Sequence, residues 1–169
     1  SGRIADAETA NSLKEKCTGT TTVCTSVKRE KKTEQPPKLY DLTTLQREAN
    51  RLFGFTAKQT LDYAQQLYGK KLLTYPRTDS QYLTEDMGRT AQHLVSDLLG
   101  LLLFAQGLAL TPDVDRVLNS KKVSDHHAII PTAEFVKQGF AGLAESECKL
   151  MNLVCSKLLC AIAAPHEYE

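Results

Sequence analysis

Residues 72–80 read Leu72-Leu73-Thr74-Tyr75-Pro76-Arg77-Thr78-Asp79-Ser80, an apolar run followed by a tyrosine, a proline, an arginine and a polar turn. Because proline fixes its own φ angle and biases the preceding residue toward extended geometry, we expect Tyr75 to project from a defined backbone. If the extended path continues through Pro76, Tyr75 and Arg77 share one face. A phenolate nucleophile beside a guanidinium that holds a phosphate oxygen suits covalent chemistry on phosphate. The same residues also fit a half-buried tyrosine at a sheet edge beside a solvated arginine.

A second polar stretch lies downstream at Ser124-Asp125-His126-His127, before the apolar, strand-like run Ala128-Ile129-Ile130 that ends at Pro131. Adjacent residues of an extended backbone point to opposite sides, so His126 and His127 are not expected to serve one centre. Imidazole changes its charge near neutral pH, which suits hydrogen bonding or proton relay. Taken alone, His126 is interpreted as a loop histidine.

Three stretches together resemble the type IA DNA topoisomerases, in their bacterial topoisomerase III form. Residues 74–80 are similar to the family's active-site tyrosine motif, residues 124–132 to its histidine motif, and residues 37–46 to the segment that leads into its tyrosine domain. The resemblance spans nearly the whole chain. It implies that Tyr75 attacks a backbone phosphate of single-stranded DNA and forms a 5′-phosphotyrosine link, which conserves bond energy without ATP. It also implies that Arg77 stabilises the scissile phosphate and that His126 assists by a hydrogen bond.

The same resemblance implies which residues contact DNA. We expect DNA-binding residues next to the three catalytic candidates, at Lys70, Lys71, Thr78, Asp79, Ser80 and His127. A set of five cations has two open interpretations, as a basic lining around Tyr75 or as solvated helix faces: Arg47, Arg51, Lys58, Lys70 and Lys71.

Hydrophobic periodicity predicts a mainly α fold with short strands, in the form of a compact helical domain with little sheet. The resemblance implies that this is the tyrosine domain and that a partial, β-rich segment of the arch precedes it. One helix is predicted from Asp41 to the stop at Gly54, and the capping-box sequence that begins at Thr56 opens another. Further helices are predicted over residues 5–17, 84–106 and 146–163, and a β-branched strand over residues 20–28.

The proline-rich segment Gln35-Pro36-Pro37 is the best domain boundary in the sequence. The resemblance assigns residues 1–36 to the outgoing arm of the family's arch domain, residues 37–163 to the active-site tyrosine domain, and residues 164–169 to the return toward the arch. The chain begins at Ser1, so we expect it to be a fragment of a longer enzyme and inert by itself. The family's Mg²⁺ site lies on a nucleotidyl-transfer domain, and that domain and the rest of the arch are the expected protein partners.

No metal site is expected in this chain. Asp113-Val114-Asp115 has no third acidic ligand nearby and is interpreted as a turn, and His93 as a surface or satisfied core histidine. Five cysteines without a C-x-x-C pair argue against a zinc ribbon or a disulfide framework and favour reduced thiols in a cytoplasmic protein.

The composition restricts the remaining function classes. The net charge is +1, so any attraction for nucleic acid must come from local patches. The longest apolar run is too short to span a bilayer, so no membrane partner is expected. The patterns of a replication relaxase and of a tyrosine recombinase are not visible. The non-enzymatic alternative is a helical module that binds single-stranded DNA without chemistry.

Overall fold

The computed structural model describes residues 3–102, 105, 107 and 111–169. By its internal contacts the chain divides into a smaller unit, residues 1–32 with Glu169, and a larger unit, residues 33–168. The described residues are mainly helical with short strands, which confirms the predicted fold class. The assignment of residues 1–36, 37–163 and 164–169 to parts of a topoisomerase stays a prediction.

The smaller unit contains one helix, α1 (Ala7–Cys17), which confirms the helix predicted over residues 5–17. Asp6 caps it by accepting the Thr9 N–H at 2.7 Å. The strand predicted over residues 20–28 is wrong, because these residues have no regular secondary structure. β-Branched residues form a strand only when a neighbouring strand satisfies their backbone groups. None pairs with them in the described chain, and Val23 and Val27 are 73% and 77% exposed.

The larger unit begins with two capped helices, α2 (Leu42–Phe53) and α3 (Ala57–Gly69). Asp41 caps α2 by accepting the Thr44 N–H at 2.7 Å, and the predicted stop, Gly54, has a φ of 70°. Such a positive φ favours glycine, because it has no Cβ. Thr56 opens α3 with the predicted capping box. Both helices are therefore confirmed.

The next helix, α4 (Gly88–Leu101), follows a 3₁₀ turn at Glu85–Met87. It confirms most of the helix predicted over residues 84–106. Leu102 is already extended, and residues 103, 104 and 106 lie outside the described residues. His93 is exposed on α4, as a surface histidine should be. Shorter helical turns follow at Val114–Val117 and Ser120–Lys122.

The last helices are α5 (Ala133–Gln138) and α6 (Glu145–Ala161). α6 confirms the helix predicted over residues 146–163. α6 packs against α2, α3 and α4 and is the most deeply buried of the helices described. Burial of its apolar side chains is the main force that holds these helices together. Its buried apolar residues are Leu150, Met151, Leu153, Val154, Cys155, Leu158, Leu159 and Ala161.

Short extended segments connect the helices around this core. One two-stranded sheet pairs β1 (Lys32–Glu34) with β2 (His166–Tyr168). Isolated antiparallel bridges join Tyr40 to Ile129 and Leu73 to Pro131. These two bridges bring the segment before α2 and the segment after α3 to the same downstream stretch.

Two further observations apply to the described ranges. Within them, no helix has the length and hydrophobicity needed to cross a membrane. All five cysteines are free thiols, of which Cys155 is buried in the core and Cys148 is half-buried.

Candidate active site

The predicted tyrosine and histidine motifs lie side by side as antiparallel neighbours. Thr74 donates its N–H to the Ile130 carbonyl oxygen at 3.0 Å, and its Oγ1 accepts the Ile130 N–H at 2.9 Å. The same register, continued along both stretches, brings Thr78 opposite His126. These two residues are 48 positions apart in the sequence. The pairing therefore assembles one site from two distant motifs.

Two buried hydroxyl groups fix the backbone of this site. Thr78 Oγ1 donates to the His126 carbonyl oxygen at 2.7 Å and accepts the Ser80 N–H at 3.1 Å. Ser80 Oγ lies 2.9 Å from the Lys122 carbonyl oxygen, to which it can donate. Thr78 is 8% exposed and Ser80 is 3% exposed. We therefore assign both side chains a positioning role inside the fold, and their contact with DNA stays a prediction.

Tyr75 is half-buried and contacts two rings. The His126 ring lies 4.3 Å away between centroids, at an interplanar angle of 45°. The Tyr68 ring from α3 lies 5.4 Å away in an edge-to-face arrangement, and Tyr68 is 46% exposed. Such contacts restrict the rotation of the phenol ring. The structure thus brings the predicted nucleophile and the predicted histidine together.

Arg77 is exposed and contacts α3 through Gln65. With its amide oxygen toward the guanidinium, Gln65 accepts from Arg77 Nε at 3.0 Å and from Nη2 at 2.9 Å. This orientation of the amide follows from hydrogen-bond matching, because the reverse orientation sets donors against donors. Two hydrogen bonds to one oxygen hold the planar guanidinium in a fixed direction. Among the described residues, no acceptor contacts Arg77 Nη1, which is therefore available to another acceptor.

Arg77 and His126 line one open groove of about 450 Å³. Its other walls are the start of α2 and the stretches that carry the two motifs, namely Asp41, Leu42, Thr43, Thr78, Asp79, Ser124 and Asp125. Three of these lining residues are aspartates. Arg77 is the one Lys or Arg side chain among the lining residues, so it is the cation that a phosphate bound in this groove would contact.

Two more of the predicted DNA contacts, Asp79 and His127, are already engaged within the chain. Asp79 Oδ1 accepts from Ser124 Oγ at 3.3 Å and is exposed in the groove. His127 is half-buried, and its Nδ1 lies 2.8 Å from the Ala128 carbonyl oxygen, so Nδ1 carries the proton in this contact. Their contact with DNA stays a prediction.

Lys70 and Lys71 connect α3 to the tyrosine stretch. Lys70 Nζ contacts both carboxylate oxygens of Glu147, at 2.6 and 2.7 Å, and Glu147 is 3% exposed. Lys71 has a positive φ of 62°, and its carbonyl oxygen accepts from Thr132 Oγ1 at 2.6 Å. Both lysines therefore have a role inside the fold, and their contact with DNA stays a prediction.

The five cations that were considered as a lining for Tyr75 do not form one surface. Lys58 pairs with Asp62 at 2.8 Å on α3, and Lys70 pairs with Glu147. Arg47 and Arg51 line a different pocket, and none of the five lines the groove of Arg77 and His126. The structure favours the alternative interpretation, in which most of these side chains are solvated or paired on helix faces.

Sequence reasoning missed two residues of the site, Gln65 and Tyr68. Both lie on α3, three residues apart, and therefore on the same helix face. That spacing was visible in the sequence. What the sequence did not indicate is that this face of α3 turns toward Tyr75 and Arg77.

The donor set of the described residues does not fit a magnesium ion. Mg²⁺ takes six oxygen ligands and is usually held by carboxylates. Over residues 3–102, 105, 107 and 111–169, no group of three or more His, Cys, Asp and Glu side chains is placed to hold a metal. Asp113 and Asp115 are exposed at the start of the 3₁₀ turn Val114–Val117, so they form a turn, as predicted.

Comparison with known proteins gives the family. The sequence profile of the DNA topoisomerase family matches residues 1–169. DNA topoisomerase 3 of Shouchella clausii is 39% identical over 99% of this chain, and that of Bacillus licheniformis is 41% identical over 99%. The aligned regions are 24% and 23% of those two proteins, so the chain spans about a quarter of their length.

A solved structure agrees with these relatives. Full-length topoisomerase I from Thermotoga maritima matches with a TM-score of 0.67 and 27% sequence identity, over 98% of this chain and 26% of that one. The family profile matches the whole chain, and the relatives are about 40% identical to it. Both findings confirm the family that the two motifs predicted. This chain belongs to the DNA topoisomerase family.

Proposed function

We propose that this chain supplies the tyrosine nucleophile of a type IA DNA topoisomerase, which cleaves and rejoins one DNA strand. The observation that carries the proposal is the contact of the Tyr75 and His126 rings, 4.3 Å between centroids, beside the groove that Arg77 lines. A nucleophile, a hydrogen-bonding imidazole and a cation for the phosphate are the groups that such a transesterification needs.

In the proposed reaction, the phenolic oxygen of Tyr75 bonds to a backbone phosphorus while the bond from that phosphorus to the 3′ oxygen breaks. The phenol proton is lost and the departing 3′ oxygen gains one, so one end of the broken strand is a 3′-hydroxyl and the other end is a 5′-phosphotyrosine. Reversal restores the DNA after strand passage, and because one ester replaces another, ATP is not needed. Arg77 offsets the negative charge that develops on the phosphate, and His126 donates a hydrogen bond or relays the proton.

The proposal assigns the remaining chemistry to protein outside this chain. A free phenol titrates at about pH 10, so attack near neutral pH requires a group that takes the proton or favours the anion. We propose that Mg²⁺ and further catalytic side chains belong to a nucleotidyl-transfer domain of a longer enzyme, whose substrate is single-stranded DNA. This is consistent with the chain spanning 24% of the Shouchella clausii relative.

A trapped covalent adduct tests the proposal. The complete enzyme is incubated with single-stranded DNA labelled at the end that stays attached to the protein, then denatured, and the protein-linked label is measured on a gel. Tyr75→Phe should abolish the linked label, since only the nucleophilic hydroxyl is lost. Tyr68→Phe is the matched control, because it removes the hydroxyl of the ring beside Tyr75, and it should retain the adduct.

The same experiment distinguishes an enzyme from a helical module that binds single-stranded DNA without chemistry. An adduct that survives Tyr75→Phe would mean that another residue attacks the DNA. DNA binding by the wild-type enzyme without any covalent adduct would support the non-catalytic alternative.

A further inference from the structure

A second pocket, away from the groove of Arg77 and His126, is lined by an excess of cations. It has a volume of about 460 Å³ and lies beside α2, the segment before α2, and α6. We call it the α2–α6 pocket. Its charged lining consists of Lys38, Arg47, Arg51, Lys157 and one carboxylate, Glu48.

The single carboxylate of this pocket is already occupied by neighbours. Glu48 Oε2 accepts from Tyr40 Oη at 2.6 Å and from Lys157 Nζ at 2.8 Å, and Arg51 Nη2 lies 3.5 Å from Oε1. Burial acts to raise the pKa of Glu48, but the hydrogen bonds and charges of Lys157, Tyr40 and Arg51 outweigh it and lower that pKa. Glu48 is therefore ionised at neutral pH and offsets one of the four cations.

The remaining positive charge is held close together. Arg47 and Arg51 are one helical turn apart on α2, and like charges at this spacing destabilise a helix unless an anion lies between them. Arg47 and Lys38 are exposed, and neither forms an ion pair in the part of the chain that the structure describes. Lys157 lies 4.6 Å from the centroid of the Tyr40 ring and is mostly buried, so its position is fixed.

We infer that the α2–α6 pocket binds phosphate groups, and that the backbone of a nucleic-acid strand supplies them. Guanidinium groups bind phosphate oxygens in pairs, and lysines add point charges. The charge excess continues into an adjoining cleft of about 290 Å³, which shares Lys38 and Gln81 with the pocket and adds Arg116. An elongated basic surface suits a polyanion better than a single small anion.

The pocket also adjoins the candidate active site. Tyr40 and Thr44 line the pocket, whereas the residues between them, Asp41–Thr43, line the groove that holds Arg77 and His126. Only the backbone at the start of α2 therefore separates the α2–α6 pocket from the groove. The inference rests on the proposed function only in taking DNA as the source of the phosphates.

The test uses the 169-residue chain and two probes, an eight-nucleotide oligothymidylate and inorganic pyrophosphate. The test variant, Lys38→Gln with Arg47→Gln, removes two exposed charges and leaves the Glu48 contacts intact. The matched control, Lys58→Gln with Lys149→Gln, removes two exposed charges that are paired with Asp62 and Glu145 on other surfaces. Fluorescence anisotropy gives the affinity for the labelled oligonucleotide across salt concentrations, and ¹⁵N NMR shows which backbone amides each probe shifts.

We expect both probes to shift amides of the segment from Lys38 to Arg47. The test variant should bind the oligonucleotide about tenfold more weakly than the control. The slope of log K against log salt should become shallower by about 1.4, because each single-strand phosphate that a cation neutralises contributes about 0.7. Equal affinity and salt dependence for the two variants would overturn the inference. Amide shifts that pyrophosphate causes and the oligonucleotide does not would also overturn it, because they would show that the pocket binds free anions. Neither readout involves Tyr75, so failure here leaves the cleavage proposal standing.

Discussion

The ion pair between Lys70 and Glu147 should hold the tyrosine stretch to the helical core. Lys70 caps the C-terminal end of α3, five residues before Tyr75, and Glu147 lies in the first turn of α6. The carboxylate accepts from Lys70 on both oxygens and from the Ala144 N–H at 2.9 Å. We predict that Glu147→Gln lowers the free energy of unfolding of the chain at pH 7.

The structure sets the size of this loss. Breaking a fully buried ion pair typically costs about 3–5 kcal/mol, because one charge is left without a partner. Here the Glu147 side chain is 4% exposed but that of Lys70 is 42% exposed, so water can solvate the lysine that is left. Glutamine also keeps an oxygen for the Ala144 N–H. We therefore expect a loss of about 1–2 kcal/mol.

The pH dependence of the loss distinguishes an ion pair from simple packing. Burial acts to raise the pKa of Glu147, but the hydrogen bonds from Lys70 and Ala144 outweigh it, so that pKa lies below the ordinary value of 4.5. A lowered pKa in the folded state contributes stability above the unfolded-state pKa, and this stability is lost as the pH falls through the folded-state pKa. The difference between wild type and Glu147→Gln should therefore disappear in acid.

Urea unfolding followed by circular dichroism at several pH values measures this difference. Glu145→Gln is the matched control, because Glu145 is 83% exposed and pairs with Lys149 at 2.6 Å on the same helix. Its unfolding midpoint should hardly change. Equal losses for both variants, or a Glu147→Gln loss that persists in acid, would refute this account of the ion pair.

Four further predictions concern the site itself. Without added domains, the wild-type chain should bind single-stranded DNA weakly and salt-sensitively and give no protein-linked label, with or without Mg²⁺; a Tyr75-dependent band would contradict this. In the complete enzyme, Arg77→Ala should slow cleavage about 100- to 1,000-fold and more than His126→Ala does, because it removes a charge beside the developing oxyanion. Gln65→Leu should slow cleavage less, by about tenfold, since Arg77 loses its orientation but not its charge. Near-wild-type cleavage rates for Arg77→Ala, His126→Ala and Gln65→Leu would show that the tyrosine motif has only a structural role. Thr78→Val should destabilise the chain by about 1 kcal/mol in urea unfolding and shift the NMR signals of the His126 ring, through loss of the 2.7 Å hydrogen bond; no change beyond that of the exposed control Thr90→Val would contradict the positioning role.

The sequence predicted the parts of this fold that local signals determine. The caps at Asp41 and Thr56 and the stop at Gly54 define α2 and α3, because each satisfies backbone groups within one helical turn. The strand predicted over residues 20–28 failed for the complementary reason. Strand propensity is local, but a strand exists only if a partner that is distant in sequence lies beside it.

The sequence named the candidate residues of the site, but it did not predict the contacts among them. The tyrosine and histidine motifs carried the resemblance, yet the hydrogen bond from Thr78 to His126 joins residues 48 positions apart. The pair of Lys70 and Glu147 spans 77 positions. Such contacts depend on how the core packs, which periodicity in one segment does not determine. The engagement of Thr78, Ser80 and Lys70 inside the protein was therefore invisible in the sequence.

The most direct test of the central claim is to locate the nucleotide on the protein. The complete enzyme is trapped on single-stranded DNA by denaturation, digested with nuclease and protease, and its peptides are sequenced by mass spectrometry. We predict a 5′-phosphonucleotide on Tyr75 and none on the neighbouring Tyr68. A nucleotide on any other residue, or a link through a 3′-phosphate, would contradict the assignment of Tyr75 as the nucleophile of a type IA enzyme.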